Sequence, residues 1–178
     1  TFHFTGLGGE GGFNLTTVQG VASSFFDVFV DVAGSAYNVV EDKVSGWISD
    51  GTCALSQVLP GATPTCSFTN TKLGSITVIK YADPDGSFTI NLGGEETDSI
   101  SLTNGQSHIF TDLTPGNYTV SETLPEGWEG SQSVECSSGS QSSLTLAAGG
   151  EITCTFNNTE QAVITGKKFK DADANGIN

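Results

Sequence analysis

No arginine occurs among the 178 residues; the six positive side chains are all lysines, set against twenty Asp and Glu. A net charge of −14 leaves no footprint to offset phosphate, which excludes nucleic acid as a partner. Attachment to anionic lipid is excluded on the same ground. No apolar run approaches the roughly 18 residues of a spanning helix, so no membrane insertion is expected, and no basic-then-apolar leader is read at the start. Methionine is absent and only two histidines occur. The four cysteines form no C-x-x-C pair and have no histidines beside them, so a zinc site lacks its ligands. Neither His3 nor His108 has an acid and a serine at triad-like spacing, and no phosphate loop, nucleotide fingerprint or hydrolase elbow is present. The expectation is therefore a protein that is not an enzyme and carries no organic cofactor.

What remains is rich in turn formers and β formers. Gly is 23, Phe is 11 and charged residues make up 15%, a composition poor in the residues that build helices. Short alternating runs, such as Phe88–Leu92, Ser107–Phe110, Tyr118–Glu122 and Glu151–Phe156, sit between clusters such as Thr114-Pro115-Gly116-Asn117. Strands of this length at such spacing predict an all-β chain of antiparallel sandwiches. Val21–Val32 could pass for a helix, but its Phe and Val content predicts a strand.

The chain repeats itself. Tyr37-Asn38-Val39-Val40-Glu41 with Gly46-Trp47 matches Tyr118-Thr119-Val120-Ser121-Glu122 with Gly127-Trp128 at an offset of 81. Thr65-Cys66-Ser67-Phe68-Thr69-Asn70-Thr71 matches Thr153-Cys154-Thr155-Phe156-Asn157-Asn158-Thr159 at an offset of 88. Two copies of one unit are expected, at 1–72 and 73–160. The second opens with an alternating strand, Gly74-Ser75-Ile76-Thr77-Val78-Ile79-Lys80-Tyr81, which the first lacks. A tail at 161–178 supplies that missing piece, with Ile164, Lys168, Phe169 and Asp171 matching Ile76, Lys80, Tyr81 and Asp83 at an offset of 88. The tail is thus expected to complete residues 1–72 of a neighbouring unit by strand addition. Either separate subunits exchange strands, or a longer tandem chain runs on from Asn178.

One cysteine pair falls in each copy, Cys53 with Cys66 and Cys136 with Cys154. The simplest reading is one disulfide per copy in an oxidising, extracellular or cell-surface compartment, the alternative being four reduced buried thiols. Lys80 has the inward parity of Ile76 and Val78, an odd position for a lone charge.

Together Ile76-Thr77-Val78-Ile79-Lys80, Pro115-Gly116-Asn117-Tyr118-Thr119-Val120-Ser121-Glu122, Pro125-Glu126-Gly127-Trp128 and Cys154-Thr155-Phe156-Asn157-Asn158-Thr159 resemble a prealbumin-like domain. That group includes the B-type repeats of collagen adhesin and the backbone domains of Gram-positive pilins. The resemblance implies an Ig-like sandwich and a stalk or shaft role. It also implies an autocatalytic isopeptide bond in which a first-strand lysine attacks a last-strand asparagine while a carboxylic acid shuttles the proton. The residues carried over are Lys80, Glu122 and Asn158 in the second copy, and Lys168 (from the tail), Glu41 and Asn70 in the first. Asn157 is the alternative partner if the register slips, and Lys80 could instead snorkel to solvent or simply pair with Glu122. The tail's Asp171, Asp173 and Asn175, followed by Gly176, resemble the opening of calcium-binding B repeats. They read either as calcium ligands or as a plain turn.

Asn14, Asn117 and Asn157 head N-glycosylation triplets, so covalent glycans are a candidate partner. Trp47 and Trp128 are expected in packing roles. The functional expectation is a structural subunit of an extracellular fibre, pilus-like filament or stalk that partners itself head to tail. The alternative is a glycan- or ligand-binding adhesin module, for which exposed aromatics in a groove would be the mark.

Overall fold

The computed structural model describes residues 1–7, 12–18, 20–28, 30–128 and 132–167, and every helix-or-strand element among them is a strand. Six strands lie in the first part of the chain: β1 (Phe2–Thr5), β2 (Phe13–Leu15), β3 (Ser35–Glu41), β4 (Trp47–Ser49), β5 (Thr52–Val58) and β6 (Asn70–Lys72). They make an antiparallel sheet of order β2-β1-β3-β5 and a separate pair, β4-β6. Phe2, Phe4 and Val39 form its buried centre, with Phe13, Phe68, Cys53 and Cys66 packed around them.

Eight strands follow: β7 (Gly74–Asp83), β8 (Phe88–Gly94), β9 (Asp98–Leu102), β10 (Ser107–Leu113), β11 (Gly116–Thr123), β12 (Ser133–Cys136), β13 (Leu144–Leu146) and β14 (Glu151–Thr159). They form two four-stranded sheets, β10-β7-β14-β12 and β13-β11-β8-β9. Alternation places Ile76, Val78, Ile152, Cys154 and Phe156 of one sheet against Ile90, Leu92, Val120, Leu144 and Leu146 of the other, closing a single core. Each such aliphatic side chain taken from water contributes about 1.5–3 kcal/mol. Between β7 and β14 the pairing is parallel, running from Ser75↔Glu151 to Asp83↔Thr159. Gly94, at φ +128°, lets β8 pass β11 so closely that a Cβ there would lie 2.2 Å from the Asn117 carbonyl oxygen.

The orders β2-β1-β3-β5 and β9-β8-β11-β13 correspond strand for strand. The register agrees as well: Phe4 faces Glu41 in the first sheet and Ile90 faces Glu122 in the second. The other sheet has no full counterpart among the described residues of 1–72. Val21–Val32, expected as a strand, carries only an isolated bridge from Val21 to Val18, and residues 22–28 and 30–34 are in no strand. At the offset of 81 this segment corresponds to β10, and among the described residues β10 pairs in a ladder only with β7. The first region describes no strand equivalent to β7, so propensity alone has nothing to pair with, and Phe25 and Val32 stand 96% and 93% exposed. Likewise residues 63–71, the counterpart of β14, are strand only from Asn70. The described part of the tail, 161–167, is in no strand, with Val163 and Ile164 exposed.

A buried lysine–carboxylate–asparagine cluster as the candidate functional site

The inward parity of β7 carries Lys80 into the core, where it is fully buried. Its Nζ lies 3.1 Å from Glu122 Oε1, across the sandwich on β11, and 4.1 Å from the centroid of the Phe88 ring. The Lys80–Glu122 contact is an ion pair without hydrogen-bond alignment; Nζ donates instead to the Tyr81 carbonyl at 2.9 Å. Glu122 Oε2 accepts from Asn158 Nδ2 at 2.7 Å and from Gln132 Nε2 at 2.8 Å. Asn158, buried on β14, leaves its Oδ1 without a partner. The parallel register therefore brings the first and last strands of this region together at Glu122. Asn157 lies half-buried on the other face of β14, so the strand register presents Asn158, and not Asn157, to the acid.

Burial lowers the Lys80 pKa from its ordinary value; the Glu122 carboxylate beside it pulls the other way and is outweighed. Loss of hydration penalises the ammonium form, which makes a neutral, nucleophilic amine accessible beside a carboxamide and a proton relay. Such an arrangement can form an amide.

A second acid–asparagine pair lies in the first region. Glu41 is 3% exposed, accepts from Asn70 Nδ2 at 2.7 Å and also accepts from the Ser49 hydroxyl. Asn70 Oδ1 is buried without a partner. Among the described residues no cation pairs with Glu41. Instead the pair opens onto a groove of about 760 Å³ lined by Phe2, Glu41, Trp47, Ser49, Asn70 and Leu73 among others. The two clusters share their aromatic wall: Phe2 meets Trp47 edge-on at 5.3 Å, as Phe88 meets Trp128 at 4.9 Å. Trp128 is buried, whereas Trp47 is 37% exposed.

Sequence reasoning missed Gln132 and Ser49, which donate to the two acids. Ser49 pairs opposite Asn70, and Gln132 immediately precedes the Ser133↔Asn157 pair, so the two occupy matching places. They differ in residue type and offset, and no repeat comparison could have linked them.

Cys53–Cys66 and Cys136–Cys154 are both disulfides. The second joins register neighbours of β12 and β14; the first ties β5 to the segment before β6. Asn14 and Asn117 are exposed, within β2 and β11 and not in turns. Asn157 lies within β14, between β7 and β12. Lys168, Asp171, Asp173 and Asn175 lie outside the described residues. Among those that are described, no group of three His, Cys, Asp or Glu could hold a metal, and no helix is long and apolar enough to cross a membrane.

Residues 76–160 match the family of prealbumin-like fold domains. This part of the chain is a prealbumin-like domain. Among solved structures, the chain is similar to a bacterial adhesin from Mobiluncus mulieris containing intramolecular disulfide, isopeptide and ester bond cross-links. That similarity has 13% identity and a TM-score of 0.47, over 74% of this chain and 61% of that one. It is also similar to the major pilin protein T-13 from Streptococcus pyogenes, with 13% identity and a TM-score of 0.37 over 76% and 70% of the two chains. For the C-terminal fragment of the pilus adhesin SpaC from Lactobacillus rhamnosus GG, the values are 16%, 0.35, 92% and 90%. The chain thus spans about three fifths of the length of the adhesin. No curated protein sequence matches it. Within the prealbumin-like domain, the cluster of Lys80, Glu122 and Asn158 ties the first strand to the last.

Proposed function

We propose that the protein is a structural subunit of an extracellular, pilus-like fibre or stalk. Its units are 1–72 and 73–160, with 161–178 forming the first strand and turn of a further unit. The observation that carries the reading is the buried cluster of Lys80, Glu122 and Asn158. A cation and an acid in a dry core cost desolvation and are weak grounds for stability by themselves. They are well suited to a single internal reaction. Lys80 Nζ attacks Asn158 Cγ, the new Nζ–Cγ bond replaces the Cγ–Nδ2 bond, and Glu122 carries the proton from Nζ to Nδ2. Ammonia leaves, and first and last strands are joined by an amide. A module whose buried chemistry closes on itself, with a disulfide beside it, serves durability and not turnover.

Intact-mass measurement of the 1–178 chain tests this. After allowance for the disulfides, the mass is expected to be one ammonia lighter than the sequence, and the full mass is expected to return in Glu122→Gln and Lys80→Met. An unmodified wild-type mass would falsify the cross-link.

A second reading, a glycan- or ligand-binding adhesin module, draws on the half-exposed Trp47 in the groove. Trp47 is held edge-on to Phe2, the same packing that Trp128 uses inside the core, so its role in the first unit is better accounted for by packing.

A further inference from the structure

We infer that the Glu41–Asn70 groove is an acceptor site for a lysine-bearing β-strand. The occupant is residues 162–170 of a second copy of this chain, captured covalently through Lys168. The inference rests on the amide chemistry proposed for Lys80, Glu122 and Asn158.

Three observations in the first unit point to one missing strand. Glu41 is buried and Asn70 half-buried, and the two are bonded to each other as Glu122 and Asn158 are, yet no cation pairs with Glu41 among the described residues. Asn70 Oδ1 has no partner, and the pair faces an open groove where the second unit holds Lys80. Phe2 and Trp47 form the wall against which a lysine would lie, as Lys80 lies over Phe88 beside Trp128. Independently, the two segments that would flank such a strand lie in no ladder. Residues 26–28 and 30–32, matching β10, and residues 63–69, matching most of β14, are in no strand. In the second unit both counterparts are ladder partners of β7. One inserted strand would fill the cation position and both ladders together.

The chain carries a segment of the required pattern. Ile164, Gly166 and Lys168 repeat the inward positions of Ile76, Val78 and Lys80. Val163 and Ile164 are 84% and 97% exposed, with no partner strand on their own chain. Charge is complementary too. Residues 161–170 hold three lysines and no acid in a chain of net charge −14, which favours encounter. Main-chain pairing supplies affinity, alternate side chains fix the register, and the contact is head-to-tail, so it propagates without closing. In the bonding step Lys168 Nζ attacks Asn70 Cγ, Nζ–Cγ forms and Cγ–Nδ2 breaks. Glu41 passes the proton from Nζ to Nδ2, and ammonia leaves.

The test uses the full chain as Lys168→Ala, so that its own tail cannot compete, mixed with a synthetic end-blocked peptide of residues 161–170. The expected product is a denaturant-resistant adduct one ammonia lighter than the sum of its parts. Hydrogen exchange should slow at 26–32 and 63–69 when it forms. The peptide with Lys168→Ala should give no adduct, a control that does not depend on how any protein variant folds, and Asn70→Ala in the chain should also abolish it. Absence of an adduct overturns the inference, as does an adduct that persists with the Lys168→Ala peptide. Because the acceptor's own mass reports the Lys80–Asn158 bond beforehand, failure at the groove is distinguishable from failure of the proposed function. The wild-type chain should itself form a ladder of covalent oligomers on standing, and a wild-type chain that stays monomeric at high concentration counts against the second copy as occupant.

Discussion

Lys80 was legible as an anomaly because parity is a rigid rule: in an alternating strand, a charge among Ile76, Val78 and Ala82 has to go inward. Its burial sets a pH dependence whose sign can be worked out. The folded pKa lies below the ordinary 10.5. Between the two values the unfolded chain holds a proton that the folded chain has released, so stability rises with pH across that window and is depressed beneath it. A wild type joined as proposed has no amine left to titrate there. An Asn158→Ala chain, which cannot form the bond, should therefore gain stability toward alkaline pH, by at most about 1.4 kcal/mol per pH unit. Adding Lys80→Met should flatten that slope. Urea midpoints of both variants followed from neutrality up to about pH 10 would check it. Gln132 and Ser49, by contrast, were invisible, because what unites them is position opposite an asparagine and not residue type.

At the scale of elements, β7, β8, β10, β11 and β14 were readable, because each alternating run has a neighbour to complete its ladder, whereas the shorter β9, β12 and β13 were not read. Val21–Val32 was not. Its apolar content is as strand-like as that of β10, but β propensity expresses fit to a pleated neighbour and not an intrinsic backbone preference. Segment 62–69 shows the same dependence: it has no ladder, and the Cys53–Cys66 bridge joins it to β5. Loss of a bridge closing a loop of this size costs on the order of 3 kcal/mol, and the segment is otherwise held by Phe68 against Phe4 and by the Thr69 N–H bond to Asp50 Oδ1. The Cys53→Ala/Cys66→Ala chain is expected to lose protection over 62–72 and the β4–β6 pair, while amides of β7 and β14 keep theirs. Residue-resolved hydrogen exchange would show a different order if the bridge were incidental.

For the whole molecule, the acidic surface disfavours random association of copies while leaving the lysine-rich segment 161–170 attracted to every one of them. Capture of the 161–170 peptide should then slow as salt rises, since screening shortens the reach of the field to about 8 Å near physiological ionic strength. The yield of covalent product, fixed by an irreversible amide, should change little. Time courses at low and high salt separate the two effects. A rate indifferent to salt would mean that steering contributes nothing to assembly.

The parallel alignment of β7 with β14 has a mechanical consequence. The polypeptide enters this domain beside Gly74 and leaves beyond Thr159, at opposite ends of two adjacent strands. Tension applied through the flanking chain therefore shears the whole ladder at once, from Ser75↔Glu151 to Asp83↔Thr159, and cannot peel it one rung at a time. With Lys80 joined to Asn158, the pull crosses directly between those two residues, and everything from 81 to 157 is bypassed. Stretched singly, the bonded domain should release no chain from that span. An Asn158→Ala domain should give way abruptly and lengthen by about 3.5 Å for each residue freed.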